Sequence, residues 1–494
     1  MWTSINQALN IIDNFVWGVP LMVLIIAGGL LLTIRLGLLQ IRKLPLALKW
    51  MLQNEEGGKG EISSFSALCT ALSATIGTGN IVGVATAVCA GGPGALFWMV
   101  VAAFLGMATK YSEGLLAVKY RTVAEDGHSL GGPFYYIELG MGKNFKWLAK
   151  IFAFFGVCVG LFGIGTFSQV NGISSAVHGF FDPNDAFTVK ILPFLGEYSW
   201  SVVIASLILS FCVAAVLIGG VKRIASVSQI IVPFMAVIYF VFAVILICCN
   251  ITKVPAAFAT IVTAAFSPKA ITGGAVGSML IAMQKGVARG IFSNEAGLGS
   301  APIAAAAQTN SPVRQGLVSM TGTFIDTIII CTLTGLSIVL TGAWQIEGLE
   351  GVQVTTYAFQ HGLPFPAQFS SFILMLCLVF FAFTTILGWD YYSERCLEYL
   401  SGGNMKHVKI FRWIYILAVF IGPYMTVSAV WTIADIFNGL MAIPNMIALF
   451  ALSGVIVKET RAFFQHAKEE ALAEHRSFEE VCEENLNEEE APAN

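Results

Sequence analysis

Charge is scarce in this sequence. Asp, Glu, Lys and Arg together make up 12% of its 494 residues, about half of the ~25% usual in a soluble domain. No basic patch interleaved with aromatics occurs, which removes nucleic acid as a partner. The ten cysteines include no Cys-x-x-Cys pair. They scatter through apolar segments (Cys158, Cys212, Cys331, Cys377) as small buried hydrophobes do, so no disulfide framework or metal cluster is expected. The six histidines, His128, His178, His361, His407, His466 and His475, all fall in loops, the tail or span ends. An intramembrane enzyme therefore lacks its usual base or metal ligands, and no cofactor is expected. Basic residues are also missing ahead of the first apolar run, Val16 to about Ile34. That run exceeds the ~7–15 residues of a cleavable signal-peptide core, so the N-terminus is expected to be retained.

What fills the chain instead is hydrophobic residues, 56% of the total, with a mean hydropathy of +0.77. This is the composition of an all-α polytopic membrane protein. A spanning helix needs about 20 largely apolar residues. That rule predicts eleven spans, at about 16–38, 64–90, 93–118, 147–177, 200–218, 226–249, 274–307, 317–341, 369–399, 410–427 and 430–457. Every second connecting loop is basic. Arg35, Arg42, Lys43, Lys49 and Lys59 follow the first span, and Lys119, Arg121, Lys143 and Lys146 the third. Lys222 with Arg223, Arg314, Lys406 with Lys409 and Arg412, and Lys458 with Arg461 continue the series, whereas the alternate loops hold only Lys190, Lys253 and Lys269. The positive-inside rule then puts the N-terminus outside and the C-terminus in the cytoplasm. From Arg461 onward the Glu- and Lys-rich sequence reads as a solvated tail.

One span has an implausible interior. Ala71-Leu72-Ser73-Ala74-Thr75-Ile76-Gly77-Thr78-Gly79-Asn80-Ile81-Val82-Gly83 sits within an apolar run, yet each helical glycine costs about 1 kcal/mol relative to alanine. Backbone freed from its helix inside a bilayer must find other polar partners. Five spans later the pattern recurs in Arg289-Gly290-Ile291-Phe292-Ser293-Asn294-Glu295-Ala296-Gly297-Leu298-Gly299-Ser300-Ala301-Pro302. Two broken spans, each first in a five-span block, outline an inverted repeat, because an odd block re-enters the membrane from the opposite side. Discontinuous helices of this kind meet at the midplane, where amides at one half-helix start suit a carboxylate and freed carbonyls suit a cation. The competing readings are close packing through Gly79 and Gly83 at Gly-x-x-x-Gly spacing, and a loop outside the membrane with Glu295 solvated. The expected division is residues 1–61 (extra helix and loop), 62–250 and 251–458 (two five-helix repeats), and 459–494 (acidic tail).

At these motifs the chain resembles the alanine-or-glycine:cation symporter family. The match is carried by Gly77–Ala87 extending through Gly91–Trp98, by Gly290–Ala305, by Phe324-Ile325-Asp326-Thr327 and by Leu387–Tyr399, and it covers about residues 15–460. The resemblance implies a leucine-transporter-type 5+5 inverted repeat with one extra N-terminal helix. It also implies sodium-coupled uptake of a small neutral amino acid, with sodium as a co-transported ligand, across a bacterial inner membrane. It further implies roles for residues. The amides of Gly77, Thr78 and Gly79, with Gln169, would hold the substrate carboxylate. Carbonyls near Thr75, with Ser293 and Asn294, would take the ammonium, and Trp389 would close the side-chain pocket. Backbone at Ser73 and Ile76 would face the hydroxyls of Thr384 and Thr385 around one sodium ion, and Asn80 would serve a second. Asp390, after Gly388-Trp389, departs from the small polar residue expected there.

Other ionisable residues have alternatives. Asp326 falls mid-span, where a charge costs at least about 2.5–3.5 kcal/mol; it is a functional acid or a structural one paired with Lys285 or Arg289. Lys110 and Glu113, three apart, are expected to pair at a cytoplasmic helix end. Thr384 and Thr385 have the option of bonding back to their own helix. Trp98 and Trp431 are expected to pack or to anchor at the interface. A channel is the rival of a different class, but filters usually assemble from identical loops, and these two breaks are dissimilar. Nothing in the reading requires an oligomer, and the chain is expected to work as a monomer in the lipid bilayer.

Overall fold

A computed structural model describes residues 2–53, 64–123, 129–190, 197–266, 275–305, 309, 311–425, 427–473 and 481. Among these residues the architecture is helical apart from two short antiparallel ribbons, Thr122–Val123 with Ser129–Leu130 and Thr188–Lys190 with Glu197–Ser199. Eight helices are long and apolar enough to cross a bilayer, and a ninth candidate is the pair Phe65–Thr75 and Gly79–Gly91, bent by 48°. Two of the eleven expected spans fall short of that description. Ala275–Asn294 carries Lys285 and Arg289 in its middle, and Met405–Ile421 is only 17 residues long. The expected limits of the seventh span, near Gly274 and Ala307, lie outside the described residues. So do the boundary at 61/62, Lys59, Lys269 and the tail at 474–480 and 482–494.

The chain also breaks where no break was expected. The fourth span divides into Lys146–Phe162 and Phe167–Phe181. Between them Gly165 is squeezed so tightly that a Cβ would lie 2.6 Å from the Gly160 carbonyl oxygen and 2.7 Å from the Trp389 Cβ. Ahead of the first span lies a further helix, Trp2–Val16, anchored by the Trp17 indole donating to the Asp435 carbonyl at 2.8 Å. The eighth span changes pitch at Phe324–Cys331, a π-helical stretch containing Asp326, between Pro312–Thr323 and Thr332–Thr341. Such stretches widen the turn and re-aim side chains.

The start of the expected solvated tail is in fact docked. Ser453–Ala473 is one helix, with Phe463 edge-on to Trp50, Lys43 over the Phe464 ring at 4.3 Å, and Ala467 fully buried. Phe463, Ala467 and Ala471 recur every four residues and make an apolar stripe; average composition hides it among the Glu and Lys of the same helix.

Packing follows a regular scheme. Val84–Gly91 lies on Ala275–Asn294, Gly94–Lys119 on Pro312–Thr323, Phe167–Phe181 on Ala367–Leu400, and Trp200–Leu217 on Met405–Ile421. Small residues permit the approach: Gly286 on Ala275–Asn294 sits so close to Gly94–Lys119 that a Cβ would be 2.2 Å from the Ala95 carbonyl oxygen. Replacing Gly286 with Val should therefore cost at least about 1–3 kcal/mol by overpacking. Thermal unfolding of the purified protein checks this, and a wild-type melting temperature would contradict it.

Candidate functional site

The first break is held open by side chains rather than by helix bonds. The helix Ser64–Thr75 stops, and Gly77 N–H donates to Asn80 Oδ1 at 2.9 Å while Thr78 N–H donates to Gln169 Oε1 at 2.9 Å. The chain then re-enters a helix through the π-helical turn Gly79–Gly83. Gln169 is itself fixed by donating from Nε2 to the Ile164 carbonyl at 2.9 Å. Gly77 must be glycine because three elements meet there. A Cβ would lie 2.5 Å from Thr385 Oγ1 and 2.8 Å from Gln169 Oε1. Thr78 Oγ1 is buried without a partner, a hydroxyl available to a ligand at the break.

The second break begins where Ala275–Asn294 ends. Glu295, Gly297 and Gly299 all take positive φ, at 58°, 91° and 79°, and a short 3-10 turn, Ala301–Ala305, follows. Glycine tolerates this backbone, whereas Glu295 is held in it by its bonds. Its Oε1 accepts from Trp389 Nε1 at 2.7 Å and its Oε2 from Ser300 Oγ at 2.6 Å. Glu295 is fully buried, so the alternative of a solvated loop fails. Lys110 and Glu113 are likewise buried and serve this break instead of forming a pair at a cytoplasmic end. Lys110 Nζ donates to the Asn294 carbonyl at 2.8 Å. Glu113 Oε1 accepts from the amides of Gly297 and Gly299 at 3.1 and 3.2 Å and from Asn445 Nδ2 at 2.7 Å. Tyr136 in turn donates to Asn445 Oδ1.

Asp326 joins the two breaks. Its Oδ1 accepts from Asn80 Nδ2 at 2.7 Å, and its Oδ2 accepts from Ser293 Oγ at 2.8 Å and Thr327 Oγ1 at 2.6 Å. Neither expected partner is used: Arg289 instead makes a bidentate pair with Asp435 at 2.8 and 2.7 Å. The breaks also touch directly, since a Cβ on Gly79 would lie 3.2 Å from Ser293 Cα. Asp326, Ser293 and Thr327 thus gather carboxylate and hydroxyl oxygens in a fully enclosed cluster, the donor chemistry a hard cation takes, with the Asn80 amide nitrogen turned toward it.

The remaining candidates divide. Thr385 Oγ1 reaches the Ile76 carbonyl at 3.2 Å while also bonding back to Phe381, so Thr385 and Ile76 do meet. Thr384 bonds back to Phe380 and Phe381, with Met235 beside it; the side chains of Thr75 and Ser73 also turn back, to Ala71 and to Thr70. Asn294 Nδ2 goes to Thr327 Oγ1 at 3.0 Å, and its Oδ1 caps the Ala296 amide. Trp389 lies against Glu295 and under Gly165. Trp98 donates to the Ala265 carbonyl, which is a packing role. Trp431 packs on Phe292 with ring centroids 4.9 Å apart and planes tilted by 35°, and it lines a cavity.

That cavity measures about 560 Å³ and runs from Val82, Gly172 and Trp431 to the segments around Pro183 and Gly348–Gln353. Gly172 abuts Thr78: a Cβ there would lie 2.5 Å from Thr78 Cγ2. On the other side of the first break a cavity beside Thr75 and Lys110 holds about 20 Å³, room for about one water. Sequence reasoning missed Lys110, Glu113, Asn445 and Tyr136 as supports of the second break. Lys110 and Glu113 were visible as charges inside an apolar span, whereas Asn445 and Tyr136 carried no signal.

With this geometry in hand, comparison with known proteins is decisive. Residues 2–477 match the model of the sodium:alanine symporter family. The chain belongs to that family. It is 55% identical over 467 residues to an uncharacterised transporter of Haemophilus influenzae, covering 94% of this chain and 97% of the relative. It is 46% identical to the sodium/alanine symporter AgcS of Methanococcus maripaludis, covering 94% and 98%. It is 36% identical to a probable sodium/glutamine symporter of Bacillus subtilis, covering 95% and 92%. The chain is accordingly a multi-pass sodium-coupled amino-acid transporter and not an enzyme.

Two outcomes follow from the site. Gly77→Ala, which drives a methyl group into Thr385 and Gln169, should lower sodium-driven uptake at least tenfold with expression retained; near-normal uptake would show that the break is looser than described. Asp326→Asn leaves a neutral amide among the same donors, and the sodium concentration for half-maximal uptake should rise about tenfold or more, as expected for losing a charged partner. An unchanged sodium curve would show that Asp326 takes no part in binding the ion.

Proposed function

We propose that the chain is a symporter that couples sodium influx to uptake of a small neutral amino acid such as alanine or glycine. The observation that carries this reading is the meeting of both broken helices at one enclosed cluster, Asn80, Ser293 and Asp326. Among the described residues the two basic groups nearest the breaks are already engaged: Arg289 pairs with Asp435 and Lys110 donates to a carbonyl. A zwitterion fits better, with its two charges met by dipoles and by an ion. The carboxylate would lie at Gly77, Thr78 and Gly79, displacing the Gln169 oxygen from the Thr78 amide. The ammonium would lie toward the Thr75 carbonyl, Ser293 and Asn294. One sodium ion would take the Ser73 and Ile76 backbone with Thr385, and with Thr384 once its hydroxyl turns. Another would take Asn80, Ser293 and Asp326.

The fold we assign is the 5+5 inverted repeat of leucine-transporter type, residues 62–250 and 251–458, with an added N-terminal helix. Its support is the packing scheme, in which the second, third, fourth and fifth spans each lie against the span five places later; helices near a pseudo-twofold axis behave so. We assign the face bearing the large cavity to the outside and the C-terminus to the cytoplasm of a bacterial inner membrane, following the basic loops. A cavity open to one face and sealed from the other at the breaks suits alternating access and does not suit a channel. The unit is taken to be the monomer.

The test is radiolabelled alanine uptake into proteoliposomes. Uptake should saturate, require a sodium gradient and show counterflow, and Asn80→Ala and Thr385→Ala should each weaken its sodium dependence. Unsaturable flux, or uptake indifferent to sodium, would overturn the reading.

A further inference from the structure

One buried acid takes no part in the site just described. Asp390 lies on the long helix Ala367–Leu400, five residues beyond Thr385, or about 7.5 Å along the axis toward the assigned cytoplasmic end. It is fully buried, and neither carboxyl oxygen has a hydrogen-bond partner. The charged and titratable groups around it come from its own helix, Glu394 and Arg395, and from Met405–Ile421, Arg412 and Tyr415. The other helices packed on Ala367–Leu400 present no charged group that acts on it among the described residues.

These neighbours are already matched to one another. Arg412 holds Glu394 through two bonds at 2.6 and 2.8 Å, and Arg395 pairs with Glu398 at 2.6 Å. Tyr415 spends its hydroxyl on the carbonyls of Gly165 and Ile386. Two cations and two anions cancel, so an ionised Asp390 would add one uncompensated negative charge with no donor to solvate it. Burying such a charge costs several kcal/mol even after relaxation, and a neutral acid avoids most of that cost.

We propose that Asp390 is a proton-binding site: its carboxyl is neutral in this conformation, and it exchanges its proton with the cytoplasm when the inner halves of the bundle part. The idea rests on the transport cycle proposed above. The proton is taken from, and returned to, the same side, so none is carried across. An ionised Asp390 opposes resealing of the inner half, and the return of the carrier to the outward-facing arrangement therefore needs the proton back. Alkaline cytoplasm slows uptake; acid cytoplasm relieves it.

The experiment reconstitutes the full chain right-side-out and varies only lumenal pH during sodium-driven alanine uptake. Wild-type uptake should fall by up to about tenfold for each unit of lumenal pH once a single proton limits return. Asp390→Asn, which mimics the neutral acid, should take up alanine at a rate that no longer varies with lumenal pH. The same pH dependence in both proteins would overturn the proposal. A second measurement does not require transport: the infrared carbonyl stretch of a neutral carboxylic acid should be present in the purified protein and weaker in Asp390→Asn. An identical band in both proteins would also overturn it. Absence of sodium-dependent alanine uptake in the wild type would instead count against the symport reading, and the infrared comparison would still decide the state of Asp390.

Discussion

The structure depends on one carboxylate that serves two broken helices at once. Asp326 accepts from Asn80 in the first break and from Ser293 in the second, with Thr327 completing its shell. Each break, taken alone, would be unfavourable in a bilayer, where unsatisfied backbone costs several kcal/mol per group. Joined through Asp326, the two irregular segments solvate each other. Any movement that parts the second span from the seventh must also break this junction, so an ion or solute held there would bias that movement.

Further buried charges brace the second break beside this junction. Glu113 gathers the amides of Gly297 and Gly299, Lys110 holds the Asn294 carbonyl, and Glu295 ties the second break to Trp389 on the long helix. These are charges used in place of helix hydrogen bonds: Glu113 gathers three donors and Glu295 two, while Lys110 holds one carbonyl. Hydrogen bonds to charged groups contribute about 1.5–3 kcal/mol each, enough to hold positive φ at the three alternate residues Glu295, Gly297 and Gly299 in the interior. The same helix carries the Thr385 contact to Ile76, Trp389 and Asp390, so a shift of Ala367–Leu400 reports to both breaks and to the inner half together.

How much of this was legible beforehand depended on whether a signal was local. The breaks were readable because Gly77-Thr78-Gly79-Asn80 and Ser293-Asn294-Glu295 violate helical expectation on their own. Asp326 stood out as a charge in an apolar run, but its partners did not: Lys285 and Arg289 looked equally suitable until the fold committed Arg289 to Asp435. The interruption at 163–166 was invisible, because Gly163, Gly165 and Thr166 are ordinary residues for a membrane helix and only the approach of Trp389 and Gly160 explains them. The docked helix Ser453–Ala473 was hidden by its own charge. Tertiary contact, not local preference, decides such places.

The central claim is that the two breaks form one ion-and-solute site joined at Asp326. Equilibrium binding of radioactive sodium to the purified protein, measured across a range of alanine concentrations, tests it most directly. If the site is shared, alanine must tighten sodium binding by the same factor that sodium tightens alanine binding, and the account predicts a factor well above one in both directions. Sodium binding that is indifferent to alanine would separate the two ligands and contradict it.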